Sequence, residues 1–357
     1  MISIEYAKDS HETLWNEYVS RHGVSSVYHC FSFKTVIERS YRRDPFYLIA
    51  IDSVSGKACG MLPMFLFTGP LAGRCLVSLP FFDGGGLCAD SEETAKKLLS
   101  EAMVLMRKLH CASCELRQEG RIPYESEVVQ ATGLTPRITS AKVRMLLDLP
   151  QSADALFKSF PAKLRSQIRK PTKENCAVRE GGHELVDDFY RVLRRNMRDL
   201  GSPVEPKQTF HTTIDAYPGL SRIFVIYWKE IPIACSFIFG FKNRIVNRWA
   251  SANRDYKRLA PNMLLYWRML EYAIEKGYSV FDFGRSTVGG TTYHFKAQWG
   301  AQPHELFWYR FCEKQNHNDA SEDALSAKKN IFIKVWTKLP VPLATAFGSK
   351  LRRHIPL

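Results

Sequence analysis

The chain has 357 residues, 45% of them hydrophobic, 12% aromatic and 24% charged. One core rarely grows past roughly 250 to 300 residues, and the apolar content is ample for packing, so two domains are expected and extensive disorder is excluded. Charge is the outlier: 50 Lys and Arg against 36 Asp and Glu give +14, which points to a phosphate-bearing, nucleic-acid or anionic-membrane partner without choosing among them.

Met1–Ser10 lacks the basic and apolar regions of a signal peptide, and no apolar run approaches the roughly 20 residues of a spanning helix, so a cytoplasmic location is expected. Helical patterns cover His11–His22 and Ser32–Tyr41. Two apolar strands follow, Phe46–Asp52 and Cys59–Phe67, joined by a turn at Ser53–Gly56. Next come a strand at Cys75–Leu79, a loop at Pro80–Gly86, a helix from Glu92 to Leu109 and a strand at Ser113–Arg117. Cys111 and Cys114 form a C-x-x-C at that last junction. Structural zinc needs four ligands and no second pair follows, so buried thiols are the simpler expectation and no metal is expected. Nine scattered cysteines, an odd number, also fit reduced thiols.

The same order then recurs. Arg222–Trp228 and Ile233–Phe241 form a hairpin around Lys229 and Glu230, Arg244–Ala252 is a strand, Pro261–Lys276 is a helix closed by Gly277, and Val280–Phe283 is a strand. The repetition predicts an α/β architecture of two tandem domains of one fold. Each is a mixed, mostly antiparallel sheet flanked by helices, with one helix crossing between two neighbouring parallel strands. The domains are placed at 1–149 and 150–315, with a basic amphipathic tail over 316–357.

Between the halves in sequence, Lys158, Lys163, Arg165, Arg169, Lys170 and Lys173 occur with no acid until Glu174. Arg191, Arg194, Arg195 and Arg198 follow at helical spacing on one face, where a bound anion would relieve their repulsion. A solvated face is the alternative.

The strings Leu79–Leu87 (LPFFDGGGL), Lys163–Lys170 (KLRSQIRK), Asn196–Pro203 (NMRDLGSP), Phe281–Ser286 (FDFGRS) and Tyr293–Gly300 (YHFKAQWG), in that order, resemble the FemAB family of the GNAT superfamily. They are similar to its subgroup found beside exosortase/PEP-CTERM exopolysaccharide systems, and the likeness covers about residues 25 to 310. The resemblance implies two GNAT-like domains and transfer of an acyl group onto an amine. FemAB-type proteins take the group from aminoacyl-tRNA and place it on a peptidoglycan precursor; other GNAT enzymes take it from acyl-CoA. The partners implied are an anionic donor, which is a substrate and not a bound cofactor, and a saccharide or peptide precursor of the cell envelope. Two rivals remain: an acyl-CoA-dependent N-acyltransferase of exopolysaccharide synthesis, and a non-catalytic basic module that binds nucleic acid or anionic lipid.

Amine attack on an ester or thioester builds charge on the carbonyl oxygen, so such a site needs a donor for that oxygen and clamps on both substrates. From the residues alone Lys296 reads as a surface lysine. The resemblance implies instead that Phe295 and Lys296 are the Phe-Lys pair around the donor, the ammonium on a phosphate or oxyanion and the ring on a terminal base. Asp282 and Arg285 leave the carboxyl end of a predicted strand, where α/β folds place ligands. Arg285 is a candidate anion clamp, and Asp282 orients it or accepts a proton; a buried structural ion pair is the alternative. Arg198, followed by Asp199, matches an Arg-Asp tied to acceptor phosphates in the family, and Lys34 lies where the family has another acceptor contact. Asp83 is placed like an acid at the first domain's cleft, or is simply the turn-former ahead of Gly84, Gly85 and Gly86.

The segment Arg254–Asn262 stands where acyl-CoA-binding GNAT domains carry a glycine-bearing pyrophosphate turn. It has no glycine, which leaves phosphate binding to the side chains of Arg254, Lys257 and Arg258 and tilts the expectation toward an aminoacyl donor. Residues 327–357 hold seven Lys and Arg and no acid, interleaved with Ile331, Phe332, Ile333, Val335, Trp336 and Phe347. A peripheral membrane contact and a tail packed back on the domains are both open.

Overall fold

The computed structural model describes residues 1–69, 73–123, 125–313 and 330–355. In chain order the elements begin β1 (Ile2–Tyr6), α1 (Glu12–Arg21), α2 (Ser32–Tyr41), β2 (Asp44–Asp52), β3 (Ala58–Gly69), β4 (Gly73–Ser78), β5 (Cys88–Ala89), α3 (Glu92–Lys108), β6 (Ser113–Gln118), α4 (Glu125–Thr132) and β7 (Arg137–Thr139). They continue with β8 (Lys142–Asp148), α5 (Ala153–Ser159), α6 (Ala162–Lys173), β9 (Cys176–Gly181), α7 (Val186–Asp199), α8 (Gln208–Ala216), β10 (Ser221–Trp228), β11 (Ile231–Phe241) and β12 (Arg244–Ala252). A 3-10 turn at Arg254–Leu259 leads to α9 (Pro261–Glu275), β13 (Val280–Thr287), α10 (Thr291–Ala297), β14 (Gln302–Glu305) and β15 (Phe307–Phe311). Residues 330–336 form α11, and Val341–Leu351 forms α12. The chain divides into two compact units: Met1–Val143 with the stretch from His304 and the end from Arg353, and Arg144–Pro303 with the C-terminal segment as far as Arg352.

The first unit holds a sheet in the order β1-β2-β3-β4-β6-β15-β7, with β5 against β3. Among the described residues its strand pairs are antiparallel except for β4 with β6, and α3 is the crossover between those two. Helix α3 starts at Ser91, whose hydroxyl accepts the Thr94 amide, with Glu92 and Glu93 at its positive end and Arg107 and Lys108 at its negative end. Ala95, Leu98, Leu99, Ala102, Met103 and Met106 recur at three and four, and that stripe is buried against Leu48, Leu62, Met64, Leu76 and Leu116 of the sheet. Cys114 lies in the same core, and burial pushes its thiol and that of Cys111 up, so both are held as thiols.

The second unit repeats this plan in a seven-stranded sheet, β14-β8-β13-β12-β11-β10-β9. Here β12 and β13 are the parallel neighbours and α9 is the crossover. Strand alternation separates the two faces: Phe237 of β11 meets Phe189 of α7, while Phe224, which pairs across to Ser236, meets Tyr272 of α9. Helices α7 and α9 therefore cover opposite faces. No helix among the described residues is long and apolar enough to cross a membrane.

Candidate functional site

In the second unit the parallel ladder between β12 and β13 covers only three pairs, Arg244 with Val280, Ile245 with Phe281 and Val246 with Asp282. Both strands continue beyond it, β12 to Ala252 and β13 to Thr287. Past the ladder, Gly284 takes a φ of +75°, readily adopted only by glycine, and its missing Cβ would sit 3.1 Å from the Asn247 carbonyl oxygen. This end of the ladder, the β12/β13 notch, lies at the carboxyl ends of the parallel strands, where ligand crevices form in such sheets.

Buried polar contacts fix the shape of this end of β13. The Asp282 carboxylate is fully buried: Arg144 Nη1 donates to its Oδ2 at 2.7 Å, and the Gly284 amide to its Oδ1 at 2.7 Å. The expected role of orienting Arg285 or taking a proton is thus replaced by a buried ion pair with Arg144, a residue that no local pattern marks. Lys296 on α10 is 7% exposed, which corrects its reading as a surface lysine. Its Nζ donates to the Gly284 carbonyl at 3.0 Å and the Arg285 carbonyl at 2.8 Å, so the head of the side chain is held inside the fold against the strand end. Ser286, one residue on, is buried, and its hydroxyl makes no hydrogen bond among the described residues.

Phe295 precedes Lys296 and is half-buried; its ring meets Tyr266 edge-on at 4.9 Å. Tyr266 also stacks on Phe283 at 5.6 Å, and burial pushes its phenol up to about 12, so it stays neutral. Tyr266 and Asn247 are further members of this cluster that the sequence did not single out. Asn247 touches the Tyr266 phenol and accepts from the Ser236 hydroxyl at 2.9 Å. Both read locally as ordinary core-helix and core-strand positions.

Arg254, Lys257 and Arg258 are all exposed on the 3-10 turn that enters α9. Asn253 caps that turn by accepting the Asp255 amide at 3.1 Å. Ala260 then takes the left-handed conformation, φ 53° and ψ 44°, directly before the helix. The chain makes a left-handed turn at this helix N-terminus without the glycine that usually supplies one. The Arg row of α7 is partly neutralised by protein: Arg195 meets Asp255 at 2.5 Å, and Arg198 meets Asp199 at 2.8 Å while donating to the carbonyls of Thr337 and Leu339. Arg198 thereby holds the linker between α11 and α12.

Lys34 and Asp83 lie in the first unit. Lys34 meets Asp9 at 2.5 Å, and Asp83 is buried ahead of its three glycines. The corresponding parallel pair, β4 and β6, also covers three residue pairs, Cys75 with Ser113 through Val77 with Glu115, but this notch is filled. The Ser78 hydroxyl accepts the Arg117 amide at 2.8 Å, and the buried Arg117 guanidinium donates to the Phe82 carbonyl at 2.8 Å. Phe81 stacks on Tyr41 at 3.8 Å and Phe82 meets Phe33 at 4.8 Å. A Cβ on Gly86 would lie 2.4 Å from Gln118 Oε1, so the glycines serve close packing.

Two sheets of this plan, each with a crossover helix between neighbouring parallel strands, define a tandem GNAT-like fold. Residues 158–297, which span α6 to α10 and include β12, β13 and Lys296, match the family model described as "Acetyltransferase (GNAT) domain". No curated protein sequence matches the chain. Among solved structures, FemX is similar at a TM-score of 0.67 and 12% identity, over 86% of this chain and 96% of that one. The tandem GNAT protein from the clavulanic acid biosynthesis pathway is similar at 0.57 and 12%, over 88% and 100%. The C-terminal domain of a putative lysylphosphatidylglycerol synthetase from Agrobacterium fabrum is similar at 0.56 and 12%, over 89% and 95%. At such identities the likeness is one of fold alone.

Proposed function

We propose that the protein is an N-acyltransferase that seats its donor in the β12/β13 notch of the second unit and moves an aminoacyl group from charged tRNA to an amine of a cell-envelope saccharide or peptide precursor. This is the chemistry of the FemAB-type proteins that the sequence resembles. The observation that carries the reading is the contrast between the two ladder ends: in the first unit Ser78, Arg117 and the Phe82 carbonyl bond to one another there, while the end of β13 carries a buried lysine and a buried hydroxyl without a partner among the described residues. An extended acyl-bearing chain can lie along such strand edges as an added strand does.

In the reaction the neutral amine forms a C–N bond to the acyl carbon and the C–O bond to the ribose breaks. The amine loses a proton and the leaving oxygen gains one, so the proton balance closes without net acid or base. Lys296 supplies positive potential beside the strand end, and Ser286 supplies a hydroxyl for the bound group. Asp282 and Arg144 act as positioning residues by fixing the Gly284 turn. Phe295, with Tyr266 behind it, offers a ring for a terminal base. Arg254, Lys257, Arg258 and Arg285 provide the charge for the donor's phosphates.

A second reading, an acyl-CoA donor, is favoured by one observation: Ala260 gives the turn ahead of α9 a left-handed residue despite the missing glycine. The two are separated by incubating the protein with an envelope-precursor extract and either tRNA carrying a labelled amino acid or labelled acetyl-CoA. The expected result is label transferred from tRNA, with a loss of roughly a hundredfold or more in Lys296→Ala. Label arriving only from acetyl-CoA selects the second reading, and a Lys296→Ala variant as active as the parent removes the lysine from the site.

A further inference from the structure

The C-terminal helices α11 and α12 form a hairpin with two different faces. One is packed: Trp336 is 5% exposed, Ala344 and Gly348 are buried, and Arg352 reaches buried Glu205 at 3.3 Å. Gly348 lies so close to Val204 that a Cβ there would be 3.0 Å from its amide nitrogen. The other face is apolar and uncovered, with Ile331 63%, Val335 60%, Phe347 54% and Leu343 48% exposed, beside the less exposed Leu351 and Phe332. Lys334, Lys338 and Lys350 are exposed among these residues, and no acidic residue occurs from 330 to the chain end. Lys328 and Lys329, part of the same basic tail, lie outside the described residues.

We infer that this face of the hairpin is a peripheral docking surface for an anionic lipid bilayer. Solvated helices bury their apolar stripe and turn charge outward, whereas this hairpin turns large aliphatic and aromatic side chains outward and rings them with cations only. That is the pattern of a helix lying in the plane of a membrane interface, with apolar side chains among the acyl chains and lysines at the headgroups. Charge complementarity selects the occupant. A second copy of the chain would bring Lys334, Lys338 and Lys350 against one another, and a nucleic acid would have no use for Ile331, Val335 and Leu343.

The test is co-sedimentation of the full chain with phosphatidylcholine vesicles, with and without phosphatidylglycerol. Partition onto the anionic vesicles should exceed that onto the neutral ones by roughly tenfold or more and weaken with salt. Val335→Asp with Phe347→Asp, and separately Lys334→Glu with Lys338→Glu and Lys350→Glu, should each reduce it roughly tenfold. These positions are exposed, so unchanged circular dichroism and thermal midpoint are expected in both variants. The inference is overturned by equal partition onto both vesicles, by no partition, by variants that bind like the parent, or by a free chain whose dimer dissociates in the Asp variant.

Discussion

Arg144 and Asp282 carry more weight than their exposure suggests. Their side chains are 3% and 0% exposed, and the pair holds the amide of Gly284, two residues past the β12/β13 ladder. Taking both charges out of water costs much of what their attraction returns, so the pair is better understood as fixing geometry than as adding net stability. Removing one partner alone is another matter, because it strands a buried charge. Arg144→Met should lower unfolding free energy by about 3–5 kcal/mol, measured as the shift in urea midpoint, and Arg144→Met with Asp282→Asn should recover most of that loss. Recovery would show a penalty due to the lone carboxylate; an equal loss in the double variant would show that Arg144 stabilises by packing. The ion pair was one of two readings open at Asp282 in the sequence. Its partner was not visible, because Arg144 is distant in the chain and sits in a strand without any charge pattern of its own.

At the scale of elements, the hairpins, crossover helices and parallel strands of both halves were legible. Their signals are local: apolar alternation, Ser91 as a cap, Pro261 at a helix start and Gly277 after its end. Even the Lys229-Glu230 turn was marked by the apolar runs on either side, although both residues take left-handed φ values, 49° and 60°, that sequence preference assigns to Asn and Gly. What stayed hidden depends on distant partners. β15 pairs with β6 across nearly two hundred residues, and no local pattern announces it. The end of the β12/β13 ladder was hidden for the same reason, and a single glycine conformation follows it. Gly284→Ala tests that conformation. The methyl group must accept φ +75° and a 3.1 Å contact with the Asn247 carbonyl, so a loss of about 1–2 kcal/mol in stability is expected, with transfer activity falling more than the folded fraction does. A variant with parental activity would show that the strand end tolerates another path.

For the whole molecule, the recurrence of one order of elements gives two units of the same plan with different fates for the same feature. In the first, Ser78, Arg117, Phe81 and Phe82 close the gap between the parallel strands. In the second, the end of β13 carries the buried Lys296 and Ser286, and the turn before α9 carries exposed cations. The net +14 is therefore unevenly used: part is paired with protein acids, as at Arg195 and Arg198, and part is exposed where an anionic donor or a lipid surface can meet it. The most direct measurement is a crystal structure of the protein with an unreactive donor, an amide-linked aminoacyl-RNA minihelix or an acyl-CoA thioether. The account predicts the acyl end between residues 247–252 and 283–287 of the second unit, within reach of Ser286. Donor density at the Ser78–Arg117 closure of the first unit, or away from both strand ends, would contradict it.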